Sequence, residues 1–324
     1  MPQIGGNYME RERNGIIKTV VMLAIVAFCL LAAPGRNVCA AQKLVSNPGA
    51  ACKDGKYIYY AYEMSGVRMG IMRLDPVSGK KKEITGYRYK GKGTNGFYNL
   101  SISGNYIYAV WDQFYGTGAS EDYIYRISKN GKAKKKLAQG DQPVLAGNYI
   151  YYVELQKGSY GYQERTGYIC RMKKDGSGKK RILYNKNIAK LYSDGKTVYY
   201  SIYRSDSVLY DLKGKMHSRN AMNIVEDIDG YEAGTITISG YRYYTDKNTY
   251  GKAVKLYRQK TKGNQKNVVA DYPAGIDSYR VCGSYVMVRC QTGSYLDNSM
   301  KLHVYCISAN GKKKIKLASW RPAE

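Results

Sequence analysis

Apolar and polar positions alternate along this chain in short bursts, each opened by a glycine, and the bursts recur. Residues 147–155, Gly-Asn-Tyr-Ile-Tyr-Tyr-Val-Glu-Leu, show the pattern. A strand presents successive side chains on opposite faces. Tyr149 and Tyr151 therefore share one face, and Ile150 and Tyr152 the other. Large groups on both faces predict either a strand covered on two sides or a tyrosine row open to a ligand. Related elements begin at Gly55, Gly104, Gly195, Gly240 and Gly283; counted through Gly147, the spacings are 49, 43, 48, 45 and 43 residues.

Each element is followed by a second run that often carries arginine, as in Ile71-Met-Arg-Leu, Ile124-Tyr-Arg-Ile, Ile169-Cys-Arg-Met and Leu256-Tyr-Arg-Gln. Glycine-containing turns come next, among them Asn130-Gly131, Asp175-Gly176 and Asn310-Gly311. Asn-Gly and Asp-Gly favour tight hairpins because both central residues tolerate positive φ. A basic strand follows at residues 80–84, 134–137, 179–183, 266–269 and 312–317, with a less basic substitute at 222–225. A short run ending at the next glycine, such as Leu100-Ser-Ile-Ser-Gly, supplies the remaining strand.

Four strands per unit at a period in the mid-forties is the arithmetic of a propeller blade. The chain reads as all-β: a six-bladed β-propeller of four-stranded antiparallel blades, preceded by an N-terminal signal helix. The expected blades are residues 42–84, 98–137, 142–183, 188–225, 234–269 and 276–319, within a domain spanning 42–324. An open array and a seventh, disguised blade remain as alternatives. Residues 42–45, Gln-Lys-Leu-Val, resemble the end of a basic outer strand, although the last unit already has its own.

The combination of Gly-x-Tyr-Ile-Tyr-Tyr, Ile-Tyr-Arg-Met and Asp-Gly-x-Gly-Lys-Lys-x-Leu resembles the tyrosine-rich secreted propellers of bacteria known as domains of unknown function. These are distant relatives of TolB-like and YWTD (low-density-lipoprotein-receptor-like) propellers. The resemblance covers nearly all of the chain beyond its N-terminal segment. The YWTD tetrapeptide is absent, and Ala109-Val-Trp-Asp is a loose echo. The resemblance supports the fold and implies no particular activity.

Composition sharpens this picture. The chain has 36 tyrosines against 3 phenylalanines and 2 tryptophans, with 35 glycines, which suits packed pleated surfaces joined by tight turns. Tyr59, Tyr108, Tyr151, Tyr199 and Tyr243 are expected in the core with hydroxyls on polar partners. Arg73, Arg126, Arg171 and Arg258 are expected to hydrogen-bond between blades. The net charge of +27 predicts attraction to polyanions without specific nucleic-acid recognition. Because the lysines fall on outermost strands, they also protect those edges from pairing with other chains.

Within residues 1–41, a polar start with Arg11, Arg13 and Lys18 precedes an apolar stretch at 19–33 and small residues near Cys39-Ala40-Ala41. This predicts a secretory signal peptide and a secreted or envelope-associated protein. Membrane attachment is expected only through that segment, were it to stay uncleaved. Removing it leaves five cysteines (Cys52, Cys170, Cys282, Cys290 and Cys306), which read as buried, inert thiols, with a bridge from Cys282 or Cys290 to Cys306 conceivable. Two histidines, His217 and His303, and no CxxC predict no metal site, and no cofactor motif is present.

Candidate chemistry lies in the long insertions. Links from the second to third strand, and from the fourth strand to the next blade, project from one rim. They mix aromatic residues with Gly, Ser, Asn and carboxylates, a composition suited to recognition. The expected ligand contacts are Trp111, Asp112, Tyr115, Tyr160, Tyr162, Tyr295 and Asp297. Catalytic residues are not predicted: the expected channel strands carry Ser101, Ser103, Val144, Ala146, Thr237 and Ser239, without carboxylate pairs, and no G-x-S-x-G occurs. The acidic run at 226–232 reads as a solvated turn. The functional expectation is a monomeric, non-enzymatic binding propeller recognising a cell-envelope glycan or surface protein. The alternative is a hydrolase or lyase of anionic polysaccharide.

Overall fold

The alternating bursts become antiparallel strands. The computed structural model describes residues 45–46, 51–64, 68–88, 95–114, 120–158, 163–203, 205–218, 236–238, 240–247, 252–293 and 299–320; among these there is no helix. The expected signal segment, the strand at 222–225 and the acidic run at 226–232 lie outside the described residues.

Apart from β1 (Val45–Ser46), the strands form consecutive meanders. The first contains β2 (Ala51–Asp54), β3 (Tyr57–Met64), β4 (Arg68–Leu74) and β5 (Lys81–Arg88). The second contains β6 (Asn95–Ser103), β7 (Tyr106–Phe114), β8 (Ser120–Ser128) and the start of β9 (Lys134–Ala146). Strand β9 bends into the third meander, with β10 (Tyr149–Lys157), β11 (Gln163–Lys173) and β12 (Lys180–Tyr184). The fourth holds β13 (Ile188–Ser193), β14 (Val198–Ile202), β15 (Ser205–Asp211) and β16 (Met216–Ser218). The fifth holds β17 (Ile236–Ile238), β18 (Tyr241–Lys247), β19 (Ala253–Lys260) and β20 (Lys266–Asp271). The sixth holds β21 (Ile276–Cys282), β22 (Tyr285–Thr292), β23 (Lys301–Ser308) and β24 (Lys314–Trp320).

The first, second, third and sixth meanders are covered on both faces. Tyr59, Ile71 and Ile84 of the first meander pack on Phe97, Leu100, Ile107 and Trp111 of the second. Val110, Ile124 and Leu137 of the second meet Ile150, Tyr152 and Met172 of the third. Val153 and Ile169 then meet Leu191 and Tyr200 of the fourth. The fifth packs on the sixth through Leu256, Val269, Val286 and Val288. The sixth closes on the first through Cys282, Met287 and Cys306 against Ile58, Tyr60 and Leu74. Sheets stacked face to face in this way, from the fifth through the sixth and first to the fourth, are the arrangement of a β-propeller. Each fully buried aliphatic or aromatic side chain contributes roughly 1.5–3 kcal/mol to that stack.

Strand β10 answers the question posed by residues 147–155. Ile150 and Tyr152 are buried against the second meander, and Tyr151 packs against the core shared with the fourth. The strand is enclosed on both sides. Tyr59, Tyr108 and Tyr243 are likewise core residues, whereas Tyr151 and Tyr199 are half-buried.

Two expectations are corrected. The repeated arginine serves chiefly its own sheet: Arg73, Arg126, Arg171 and Arg258 lie over Tyr57, Tyr106, Tyr149 and Tyr241 at 4.3, 4.5, 4.1 and 3.6 Å from the ring centroids. Among the described residues, only Arg126 of the four also reaches the next meander, donating from Nη1 to the Lys174 carbonyl at 3.5 Å. None of the five described cysteines is disulfide-bonded, so none bridges to Cys306. Burial pushes the thiols of Cys170, Cys290 and Cys306 up to about 12. Val45 and Ser46 pair with Ser193 and Tyr192 on the edge of β13.

Basic outer strands are present, with a division of labour. Lys134 lies 5.2 Å from the Tyr125 ring centroid, Lys136 3.4 Å from Tyr123, Lys266 4.3 Å from Tyr257 and Lys314 4.1 Å from Tyr305. Between such residues, Lys135 turns the other way and donates to the Asp175 carbonyl at 2.9 Å. Part of the basic edge is thus spent on covering tyrosine rings.

Candidate functional site

Antiparallel meanders send the β7–β8, β10–β11 and β22–β23 connections to one end of the stack. Five predicted contacts, Tyr115, Tyr160, Tyr162, Tyr295 and Asp297, belong to these connections and lie outside the described residues. Trp111 and Asp112 are described, and as neighbours on β7 they face opposite ways. Trp111 is 7% exposed and packs on Phe97 and Tyr87, with centroids 4.6 and 5.3 Å away. Asp112 is half-buried on the face turned to the third meander.

Asp112 does not stand alone there. Its strand partner on β8 is Asp122, directly opposite in the pairing. Like charges at such positions repel, and burial raises the pKa of both carboxyls. That of Asp122 reaches about 7, through desolvation first, with Asp112 and Asp141 adding to the shift. The Tyr98 hydroxyl hydrogen-bonds the Asp122 carboxylate and partly offsets it. Burial among these carboxylates also raises the Tyr98 pKa, so the hydroxyl keeps its proton and remains a donor.

The third meander completes the cluster. Gln163 Oε1 accepts from the Asp122 backbone N–H at 2.7 Å. Arg165 pairs with Asp141 at 2.7 Å and donates to the Ile188 and Ala189 carbonyls and the Tyr203 hydroxyl, at 3.1, 3.0 and 2.9 Å. Two atoms, Asp112 Oδ1 and Gln163 Nε2, are buried without a hydrogen-bond partner. Unmet polar groups are rare in interiors and mark places where a ligand or water belongs.

Backbone geometry positions this cluster. Asn99 and Gln142, next to Tyr98 and Asp141, have φ of 54° and 52°, uncommon for residues other than glycine. Gln142 clamps β9 to β13, donating from Nε2 to the Ala189 carbonyl at 2.9 Å and accepting from the Leu191 N–H at 3.0 Å. Strand β9, one of the expected channel strands, carries a single carboxylate, Asp141. An analogous one, Asp277 on β21, accepts from Gln291 at 2.6 Å. Sequence reasoning reached Asp112 through its loop composition but missed Asp122, Tyr98 and Asp141. Their shared position depends on which strands face each other, and no motif announces it. Among the described residues, no three His, Cys, Asp or Glu side chains form a metal site.

Fold and site together define a β-propeller with a half-buried acidic cluster beneath its long connections. No protein-family model matches the chain, and no curated protein matches it. Solved structures do. TolB from Acinetobacter baumannii is 13% identical, with a TM-score of 0.45, over 81% of this chain and 63% of that one. The β-propeller domain of the Trilobed protease from Pyrococcus furiosus is 13% identical, with a TM-score of 0.39, over 86% and 85%. A prolyl endopeptidase matches at 13% identity and a TM-score of 0.40, over 91% of this chain and 46% of that one. This chain thus spans under two thirds of the length of TolB and of the endopeptidase.

Proposed function

We propose that this chain is an exported, six-bladed propeller of the tyrosine-rich bacterial kind, acting by binding at its long-connection rim. The ligand is an envelope glycan, taken up without turnover by a monomer. Asp112, Tyr115, Tyr160, Tyr162, Tyr295 and Asp297 frame the site, and Trp111, packed in the core on the other face of β7, supports it from behind. Export rests on the apolar N-terminal segment, and the basic circumference favours an anionic envelope. The observation that carries the reading is the Tyr98–Asp122–Asp112 cluster under the β7–β8 and β10–β11 connections. It offers carboxyl acceptors, a phenolic donor and two buried polar atoms without partners, the groups that sugar hydroxyls satisfy. Aromatic side chains on the connections supply the flat apolar area such ligands need.

One observation favours a second reading, hydrolysis of an anionic polysaccharide. Asp112 and Asp122 are paired carboxyls, and the pKa of about 7 keeps a proton on Asp122 near neutrality, as a general acid requires. Incubating the purified protein with candidate envelope glycans separates the two. Saturable binding with intact glycan supports the binding reading; released reducing ends overturn it. Retention of a surface protein with no glycan bound would replace the ligand class.

A further inference from the structure

The opposite end of the same inter-sheet seam holds a cleft of about 620 Å3. The β6–β7 and β9–β10 turns bound it, where Gly104 and Gly147 take φ of 57° and 54°. Its walls are Tyr106 and Tyr149, and its cations are Arg126, Lys173 and Lys174. Pockets of this volume hold small ligands.

The charge in this cleft is poorly compensated. Arg126 is stacked on Tyr106 at 4.5 Å and spends Nη1 on one long bond to the Lys174 carbonyl. Its Nε is buried without a partner, and among the described residues no carboxylate pairs with it. Among the described residues, Lys174 donates only to a neutral group, the Ser103 hydroxyl, at 2.8 Å. The one carboxylate in the lining, Asp175, is tied to its own turn by the N–H and hydroxyl of Ser177, at 2.8 and 2.7 Å.

The preceding seam shows what compensation looks like. There Lys129, which stands in the β8–β9 turn as Lys174 stands in the β11–β12 turn, pairs with Asp54. Asp54 precedes Gly55 as Ser103 precedes Gly104. The repeat thus places a carboxylate opposite the turn lysine in one seam and a hydroxyl in the next. A guanidinium with free N–H groups beside two ammonium groups matches a tetrahedral oxyanion. The tyrosine walls leave room for a body larger than the anion alone.

We propose that this cleft binds a sugar unit carrying a phosphate or sulfate ester. The claim is independent of the long-connection rim. Calorimetric titration of the full chain with glucose 6-phosphate, glucose 6-sulfate, glucose and inorganic phosphate tests it. Saturable binding of either ester, weaker binding of inorganic phosphate and none of glucose are expected; the two esters show which oxyanion is preferred. Inorganic phosphate binding as tightly as the esters overturns the sugar part, and no binding of either ester overturns the whole. Ser103→Asp installs the carboxylate that the neighbouring seam already tolerates and should weaken ester binding roughly tenfold. Lys173→Gln, at an exposed position, should weaken it less. Lys262→Gln makes the same charge change as Ser103→Asp on a distant turn and should leave binding unchanged. Equal weakening by Lys262→Gln and Ser103→Asp means diffuse charge attraction and contradicts the cleft.

Discussion

Asp112 and Asp122 stand directly opposite each other across β7 and β8, two carboxyls in a half-buried setting where one of them holds its proton to about pH 7. This arrangement opposes folding above neutrality. The raised pKa means that Asp122 is neutral in both folded and unfolded chains below about pH 4. As pH rises towards 7, the unfolded chain ionises while the folded one resists. Stability present at low pH is therefore lost as pH passes through about 7. Asp122→Asn keeps an acceptor for the Tyr98 hydroxyl and adds a donor for Asp112. Chemical denaturation should show it more stable than the parent by about 1–2 kcal/mol at pH 8 and nearly equal at pH 4. A gain independent of pH would contradict the assignment.

The seam between the sixth and first meanders rests on side chains, since among the described residues no strand pairs one with the other. Tyr60 is 2% exposed in that seam, beside Cys306 and Met287. Tyr60→Ala should cost about 3–5 kcal/mol in denaturant midpoint analysis. A loss below about 1 kcal/mol would mean that this seam does not hold the ring.

The thiols give a third check. Cys170, Cys282, Cys290 and Cys306 are buried, and burial raises the pKa of Cys170, Cys290 and Cys306. Native protein at pH 8 should react with an aromatic disulfide reagent far more slowly than unfolded protein, and reductant should leave its stability unchanged. A reductant-sensitive melting temperature would reveal a bridge.

Arg258 sits 3.6 Å from the centroid of Tyr241 and has a buried Nε without a hydrogen-bond partner. Tyr241→Leu should remove that interaction and destabilise the protein by about 1 kcal/mol. Arg258→Gln should then add little in the Tyr241→Leu background. Full additivity of the two substitutions, measured by denaturation, would show that ring and guanidinium act separately.

Strand order and turn positions were legible in the sequence because they follow from local facts: alternation, glycine at positive φ, and a repeat period. The enclosure of Tyr152 and the outward place of Lys135 follow from the same alternation. Pairings across seams were not legible. Asp54 meets Lys129 and Ser103 meets Lys174 only because one sheet faces the next in a particular register. Trp111 and Asp112 looked like one recognition element, yet adjacent strand positions part to opposite faces, one into the core and one towards Asp122. The pairing of Val45 and Ser46 with β13 had no signal in composition, because an edge of open N–H and C=O groups accepts almost any extended segment.

The most direct test of the account is glycan binding by the parent protein and by the Asp112→Asn, Asp122→Asn double variant, with product analysis on the same samples. The account predicts saturable binding of an envelope glycan by the parent, at least tenfold weaker binding by the double variant, and intact glycan throughout. Cleaved glycan, or binding unaltered by the double substitution, would contradict it.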